Sequence, residues 1–293
     1  MTAFAPAHIT GFFIAHDGPG PERTGSCGAG LSLDHGAWTE VTLSDRPGIF
    51  LDGRPAEAET TAAVVRLLAD RPVRVETRLD VPVSGGLGAS AAGAVSTALA
   101  LDGLLGLEET LDGLLRAAHV AEVTSRTGLG DVAGMSGGGV EIRRKPGAPF
   151  AVDRIPVPPT CIYYVHFGPI STKSVLEDAR EKAVINAAGG KCLKALLKKP
   201  TFPELLRLSR SFAVETGLIS ARALDAVEAV ESRGGLASMA MLGDTVFATI
   251  PDGLEEFGEV RRSAINFTGP RLVAGPGLNG VSRSPQARRA PFS

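Results

Sequence analysis

A glycine-rich segment that runs straight into an apolar helix constrains the fold of this chain more than any other feature. Residues 82–94 read PVSGGLGASAAGA and continue as an alanine-rich apolar stretch. Gly85, Gly86 and Gly88 can take positive φ and carry no Cβ, so several backbone N–H groups can converge on one anion. The helix predicted from Ala89 adds the partial positive charge of its N-terminus. The segment predicts a phosphate site, and a plain glycine turn before a core helix is the alternative.

Two better-known phosphate motifs are absent from the sequence. No G-x-x-x-x-G-K-[ST] string occurs anywhere in the chain. Gly86, Gly88 and Gly93 leave four residues in the second gap, where the dinucleotide fingerprint has two. The glycine loop therefore belongs to a different class of phosphate-binding loop.

Composition and charge favour a soluble protein with small-molecule partners. The 293 residues are 44% hydrophobic, enough for one large core or two smaller ones, and the net charge of −2 gives no general attraction to nucleic acid. Cys27, Cys161 and Cys192 are scattered without metal-ligand spacing, which indicates a reducing compartment and no zinc site. The sequence shows neither a basic leader nor an uninterrupted apolar span, so we expect a cytoplasmic protein that does not bind membranes.

The predicted elements around the glycine loop follow the order strand, loop, helix. Residues 73–79 alternate apolar and polar side chains, as a strand with one solvent-facing side does. Further strands are predicted at 3–14 and 38–43, and further helices at 60–69 and 108–126.

A Pro-rich stretch at 146–159 indicates a domain boundary. We therefore divide the chain into an N-terminal domain at 1–155, a C-terminal domain at 156–274 and a tail at 275–293. The Gly, Pro, Ser and Arg content of the tail predicts disorder. The predicted elements of the C-terminal domain are a strand, three helices and a strand–turn–strand unit, at 160–167, 176–185, 205–216, 221–233 and 238–250.

The string at 82–92 resembles the ATP-binding motif of the GHMP kinases, whose pattern is close to P-x-x-x-G-L-G-S-S-A-A. Ala89 replaces the first serine of that pattern, and Ser90 keeps the second. Two further segments, AFAPAHITGFFIAHD at 3–17 and TGLGDVAGMSGGGVEIRRKPGAPF at 127–150, are similar to the archaeal pantoate kinases, a branch of that superfamily. The similarity covers the chain up to its predicted tail.

The resemblance implies a fold, an activity and cofactors. The fold is α+β in two domains, the first an ATP-binding domain with a left-handed crossover and the second ferredoxin-like, with ATP and substrate between them. The activity is phosphorylation of the primary hydroxyl of pantoate to 4-phosphopantoate in coenzyme A biosynthesis, with ATP and Mg²⁺, and relatives are often homodimers. Two alternatives stay open: a GHMP kinase for another small alcohol, such as homoserine, mevalonate or shikimate, and a non-catalytic sensor of the same fold.

The resemblance also implies which residues bind ATP and metal. The ATP-binding residues would be those of the motif, Pro82, Gly85, Gly86, Leu87, Gly88, Ala89, Ser90, Ala91 and Ala92. Ser90 takes the place of the family serine beside Mg²⁺ and the β- and γ-phosphates, and Glu122 matches a glutamate that binds Mg²⁺ in mevalonate kinases. An ordinary serine at a helix start and a surface glutamate are the alternative interpretations.

Asp131 and His8 are the candidate catalytic residues. Asp131 lies nine residues after Glu122 and beside glycines, where the family has an aspartate that orients or deprotonates the substrate hydroxyl. An aspartate that forms a turn or caps a helix would give the same pattern. His8 stands where the broad family has a lysine, so it could donate to the transferring phosphoryl group or hold the substrate carboxylate.

Further predictions concern the acceptor substrate and the C-terminal wall of the site. Arg143 and Lys173 are candidate cations for a substrate carboxylate; strand alternation turns either Arg143 or Arg144 inward, and a solvated lysine is the alternative for Lys173. Residues 23–30 either line the pocket or form a plain turn. The third GHMP motif, normally glycine-rich, is reduced to SMAMLG at 238–243.

Overall fold

The computed structural model describes residues 1–168, 178–274 and 278. Its strands are β1 (Thr2–His16), β2 (Gly25–Leu43), β3 (Gly48–Leu51), β4 (Arg54–Pro55), β5 (Val73–Leu79), β6 (Val140–Arg143), β7 (Val152–Ile155), β8 (Cys161–Gly168), β9 (Ala237–Met239), β10 (Asp244–Ala248), β11 (Arg261–Ala264) and β12 (Arg271–Val273). Its α-helices are α1 (Glu59–Leu68), α2 (Ala89–Leu105), α3 (Leu111–Ser125), α4 (Asp131–Met135), α5 (Ala179–Lys198), α6 (Phe202–Glu215) and α7 (Ala221–Ser232).

The first sheet has the order β12-β1-β2-β5-β3-β4, and β6 joins it by pairing with β2 and β7. The long strand β2 pairs with β6 near its start, through 28–31, and with β5 near its end, through 37–43. β3 runs parallel to β5, and the chain crosses between them through β4 and α1. β12 pairs with β1, so the last strand of the predicted C-terminal domain lies in the first sheet.

The second sheet has the order β11-β8-β10-β9 with antiparallel neighbours. In chain order within this sheet the arrangement is 4-1-3-2, that of a ferredoxin-like unit. α5, α6 and α7 connect its first and second strands. One hydrophobic cluster joins side chains of β1 with those of β8, α5 and α6, so the two sheets share a core.

The β1–β2 ladder is irregular where β1 approaches the site. Its register shifts between Pro6 and Ala7 and again between Thr10 and Phe12. Bulges of this kind increase local twist and re-aim side chains, and they are frequent beside active sites. His8 and Thr10 therefore lie between the two register shifts of this ladder.

The structure confirms the predicted strands and helices of the first half of the chain and corrects two other interpretations. Residues 25–30 belong to β2 and do not form a turn. α5 runs to Lys198, beyond the predicted end at 185. Gly189 lies inside this helix and does not end it. A Cβ there would collide with the carbonyl oxygen of Phe13 on β1, so the glycine allows close packing of α5 against β1.

The membrane and tail predictions can be compared with the structure only for the described residues. Within the described ranges, the helices fall short of the length and hydropathy that a bilayer crossing needs. The predicted tail at 275–293 lies outside the described residues except for residue 278.

Candidate active site

The glycine loop leads into a helix whose N-terminus has no side-chain cap. Ser84, Gly86 and Gly88 have φ values of 61°, 73° and 62°. The first hydrogen bond of α2 runs from the Ala92 N–H to the Gly88 carbonyl at 2.9 Å. The N–H groups of the first helical turn before Ala92 therefore have no partner within the helix, and together with the positive end of the helix dipole they form a site for an anion.

A cavity of about 340 Å³ opens in front of this N-terminus. Of the predicted ATP-binding residues, it is lined by Gly85, Gly86, Leu87, Gly88, Ala89 and Ser90. Pro82, Ala91 and Ala92 are not among its lining residues, and Ala91 and Ala92 are completely buried. The Ala92 N–H is also used by the helix itself, so this group is not available to a phosphate.

The turn between β9 and β10 packs against the glycine loop. Thr245 Oγ1 donates a hydrogen bond of 2.7 Å to the Gly85 carbonyl. A Cβ on Gly243 would collide with the backbone of Gly85 and Gly86. The Met241 N–H donates to the Thr10 carbonyl at 3.0 Å. The single glycine kept in SMAMLG is thus the one at which the two loops touch, so the reduced motif still closes the site from this side.

Asp131 reaches the cavity from the first residue of α4 and is held by two hydrogen bonds to Oδ1. His8 Nδ1 lies 2.8 Å from this oxygen, and Thr10 Oγ1 donates to it at 3.3 Å. Both bonds use Oδ1, so among the described side chains Oδ2 is the oxygen available to a ligand. The side chain of Asp131 is 22% exposed, whereas that of His8 is completely buried.

Behind Asp131 lies a buried cluster of charged side chains. His8 Nε2 is 3.0 Å from Glu141 Oε1, and Arg143 Nη1 donates to the same carboxylate oxygen. Arg143 Nη2 donates to Thr10 Oγ1 at 3.4 Å. Glu141 and Arg143 are both fully buried, whereas the neighbouring Arg144 is exposed, as strand alternation requires.

Glycines make room for this cluster. A Cβ on Gly30 would lie 2.7 Å from His8 Nε2, and one on Gly134 would collide with the same atom. A Cβ on Gly130 would lie 2.9 Å from Arg143 Nε, an atom that has no hydrogen-bond partner among the described residues. The glycines around Asp131 therefore serve close packing against His8 and Arg143 as well as the aim of the carboxylate.

The electrostatics of the cluster favour a charged pair at His8 and Asp131. Burial by itself lowers the pKa of His8, but the hydrogen bonds and negative charges of Asp131 and Glu141 outweigh this and raise that pKa above its ordinary value. Burial by itself raises the pKa of Asp131, but the hydrogen bond and charge of His8, with Arg143 and Thr10, bring that pKa below its ordinary value. Asp131 is therefore ionised near neutral pH.

Both ring nitrogens of His8 are hydrogen-bonded to carboxylates, so the ring has no free donor for a substrate. This geometry argues against the predicted direct contact between His8 and the substrate. It gives His8 the part of a support for Asp131.

Glu122 and Ser90 form a second acidic position beside the cavity. Ser90 Oγ donates to Glu122 Oε1 at 3.4 Å, and Glu122 Oε2 is buried without a partner in the described chain. Burial and the charge of Asp131 raise the pKa of Glu122 well above its ordinary value. A Cβ on Gly128 would lie 2.5 Å from Glu122 Oε1, so a larger residue there would displace the Glu122 carboxylate.

These two residues fit a magnesium ion. A buried carboxylate oxygen without a partner and a neighbouring hydroxyl are hard oxygen ligands, and Mg²⁺ usually takes only one or two carboxylates and fills its other positions with phosphates and water. No group of three or more His, Cys, Asp or Glu side chains suitable for a metal occurs in the ranges that the structure covers.

A second cavity of about 320 Å³ adjoins the first. The two share the lining residues Val83, Ala89, Ser90 and Thr127. Apolar side chains of β3, including Ile49, Phe50 and Leu51, form much of its wall. The glycine loop thus lies between a polar cavity that contains Asp131 and a largely apolar one.

The structure places the remaining predicted residues as follows. Ser26 lines the first cavity, whereas Arg23, Gly28 and Gly30 are not among its lining residues. Lys173 lies outside the described residues. Sequence reasoning missed Thr10 and Glu141; the signal for Glu141 was its position two residues before Arg143 on one strand, which puts both side chains on the same face.

Comparisons with known proteins show the family of the chain. A sequence profile described as the GHMP kinases N terminal domain matches residues 58–139. The pantoate kinase of Thermococcus kodakarensis is 38% identical over 289 residues, which cover 91% of this chain and 93% of that protein. The pantoate kinase of Methanocaldococcus jannaschii is 35% identical over 252 residues, 83% of this chain and 90% of that protein. A solved structure described as a phosphotransferase related to the CoA biosynthesis pathway superposes with a TM-score of 0.81 at 30% identity, covering 93% of this chain and 98% of that one.

Proposed function

Because the chain belongs to the pantoate kinases of the GHMP kinase family, we propose that it phosphorylates the primary hydroxyl of pantoate with ATP, giving 4-phosphopantoate for coenzyme A biosynthesis. One observation carries the proposal. The ionised Asp131 and the uncapped N-terminus of α2 face the same cavity, and a Cβ on Gly88 would lie 3.4 Å from Asp131 Cγ. A phosphate on the helix and a hydroxyl on Asp131 would therefore be direct neighbours.

On the donor side, backbone N–H groups of the loop and of the first turn of α2 bind the phosphates of ATP. The apolar second cavity takes the nucleoside, because it opens from the same loop and offers hydrophobic side chains to a flat base. This arrangement points the terminal phosphate toward Asp131.

On the acceptor side, Asp131 Oδ2 accepts a hydrogen bond from the pantoate hydroxyl. As the hydroxyl oxygen forms its bond to the γ-phosphorus, the bond from that phosphorus to the departing ADP oxygen breaks and the hydroxyl proton passes to Asp131. Phosphoryl transfer proceeds through a loose transition state, so positioning and charge stabilisation account for most of the rate. A carboxylate with a low pKa suits this reaction, because proton transfer follows the movement of the phosphoryl group.

A magnesium ion that arrives with ATP would be held by Ser90 Oγ and the Glu122 carboxylate. When bound, Mg²⁺ neutralises charge on the β- and γ-phosphates. The raised pKa of Glu122 and its unpartnered Oε2 support this assignment, because a carboxylate in that state gains from a cation.

The rest of the cavity suits the two ends of pantoate. The molecule has a carboxylate at one end and two methyl groups beside its primary hydroxyl. Phe13 and Met241 give the cavity an apolar wall for the methyl groups. Arg143 is fully buried behind Thr10 and does not line the cavity, so it would act on the carboxylate through its positive charge and not by direct contact.

The test is a substrate panel. Purified protein with ATP and Mg²⁺ is offered pantoate, homoserine, mevalonate and shikimate at equal concentration, and ADP release is followed. We expect the highest kcat/KM for pantoate, with 4-phosphopantoate identified by mass spectrometry. Faster turnover of another alcohol would reassign the acceptor, and ATP binding without any turnover would point to a sensor.

A further inference from the structure

A second carboxylate lies beneath the predicted Asp131–His8 pair. Glu141 Oε1 accepts from His8 Nε2 at 3.0 Å and also from Arg143, while His8 Nδ1 faces Asp131 at 2.8 Å. The ring of His8 is thus bridged between two carboxylates. A neutral imidazole has one N–H and could donate to only one of them, whereas an imidazolium donates to both.

The formal charges of the cluster support the same protonation state. Asp131 and Glu141 each contribute one negative charge, and Arg143 contributes one positive charge. Only a protonated His8 brings these four groups, three of which are fully buried, to neutrality. An uncompensated buried charge is costly, so the fold itself favours the proton on His8.

From this geometry we infer that Glu141 is a positioning residue for phosphoryl transfer, which holds His8 as an imidazolium so that His8 in turn keeps Asp131 ionised with Oδ2 aimed at the acceptor hydroxyl. Glu141 is 0% exposed and does not line the cavity, so it acts through His8 and does not touch the substrate.

A second carboxylate is required because the residue at position 8 is a histidine, which loses its charge easily when buried. An unperturbed histidine is half-protonated only near pH 6.5, and burial favours its neutral form. If Asp131 were the one carboxylate partner of His8, it would have to offset the effect of burial and also remain ionised. A second carboxylate, anchored by Arg143, further favours the cationic form of the histidine.

Groups from α4, β6, β2 and the glycine loop face His8. Asp131 approaches from α4, and Glu141 and Arg143 approach from β6, with Arg143 Nη1 at 3.5 Å from His8 Nε2. From β2 the neighbour is Gly30, and from the glycine loop it is the Leu87 carbonyl, which accepts from the His8 N–H at 3.1 Å. The two carboxylates outweigh the single guanidinium.

The experiment measures the protonation of His8 directly and then its effect on catalysis. Nitrogen-15 NMR of labelled wild-type protein reports the His8 ring between pH 6 and 9, and we expect imidazolium shifts at pH 7.5. In Glu141→Gln the ring should lose its proton at least about one pH unit lower. The alkaline fall in kcat should move to lower pH by the same amount, while the affinity for ATP stays within about twofold.

Two further variants complete the test. Glu141→Gln/His8→Lys supplies a cation that needs no second carboxylate, so it should regain kcat at alkaline pH. Glu76→Gln is the control for removal of one carboxylate, because Glu76 is a partly exposed residue on β5. It should leave the protonation of His8 and the pH dependence of kcat unchanged.

A neutral His8 ring in the wild-type protein at pH 7.5 would overturn the inference even if Glu141→Gln failed to fold. A loss of kcat equal at every pH would also overturn it, since it would indicate a structural role. The kinetic arm rests on the proposed function, but the NMR arm needs no substrate. A failure of the substrate assignment is therefore distinguishable from a failure of the inference.

Discussion

Removal of the Thr245 hydroxyl should weaken ATP binding without changing the chemical step. Thr245 Oγ1 donates to the Gly85 carbonyl at 2.7 Å and lies 3.0 Å from His166 Nδ1. The hydroxyl has one proton, which goes to Gly85, so His166 Nδ1 is the donor in the second bond. Thr245 is completely buried, so Thr245→Val removes both bonds at almost constant volume.

The size of the expected loss in ATP affinity follows from the Gly85 carbonyl, which valine leaves without a hydrogen bond. A buried polar group without a partner costs about 1–3 kcal/mol, and the Gly85 carbonyl would become such a group. Gly85 lies between Ser84 and Gly86, whose positive φ values are maintained by the surrounding contacts. The loop would leave its binding conformation more often, and ATP would have to restore that conformation. A cost of about 1.4 kcal/mol corresponds to a tenfold weaker Kd, so we expect a loss of about tenfold.

The assay is calorimetric titration of ATP, with kcat measured at saturating ATP. Thr245→Ser keeps the hydroxyl and should restore affinity to within about twofold. Thr249→Val is the matched control, because Thr249 Oγ1 also bonds to backbone, at Leu236, but far from the glycine loop. Equal losses of ATP affinity in Thr245→Val and Thr249→Val, or an unchanged affinity in Thr245→Val, would refute this reasoning.

Three further predictions concern the cavity itself. Asp131→Asn should lower kcat for pantoate by about 10²–10⁴-fold with ATP affinity retained, as single-turnover kinetics and calorimetry can check; full activity would make Asp131 a turn former. Glu122→Gln should raise the Mg²⁺ concentration needed for half-maximal rate, with a smaller rise in Ser90→Ala; a metal titration identical to wild type would remove Glu122 from the metal site. Gly88→Val should weaken ATP binding by at least about tenfold, because φ of 62° disfavours valine and its side chain would point at Asp131 and His8; unchanged affinity in a folded variant would contradict the phosphate site.

The conformation of the glycine loop was predictable from the sequence because it depends on local backbone preferences. Gly86 and Gly88 adopt the positive φ that their lack of Cβ allows, and α2 begins at Ala89 where the apolar stretch begins. Such preferences act between neighbours in the chain. Local strands and helices such as β5 and α1 follow from periodicity for the same reason. The ATP motif and the position of Asp131 after it were therefore visible without coordinates.

The partners of Asp131 were decided by tertiary structure. His8 and Glu141 lie 133 residues apart, and they meet because β1 and β6 both pair with β2, with two register shifts in β1 re-aiming the strand. Thr245 reaches Gly85 across 160 residues only because the second sheet packs against the loop.

The sequence by itself determined that the chain carries a glycine-rich loop before a helix, an acidic residue in a glycine-rich turn and two sets of strands and helices. It did not determine that His8 is buried, that Glu141 lies beneath it or that α5 continues through Gly189. Those outcomes depend on desolvation and on close approach between distant segments, as between Gly189 and Phe13 or between Gly134 and His8. Local residue preferences do not encode either effect, because both arise only when the sheets and helices pack together.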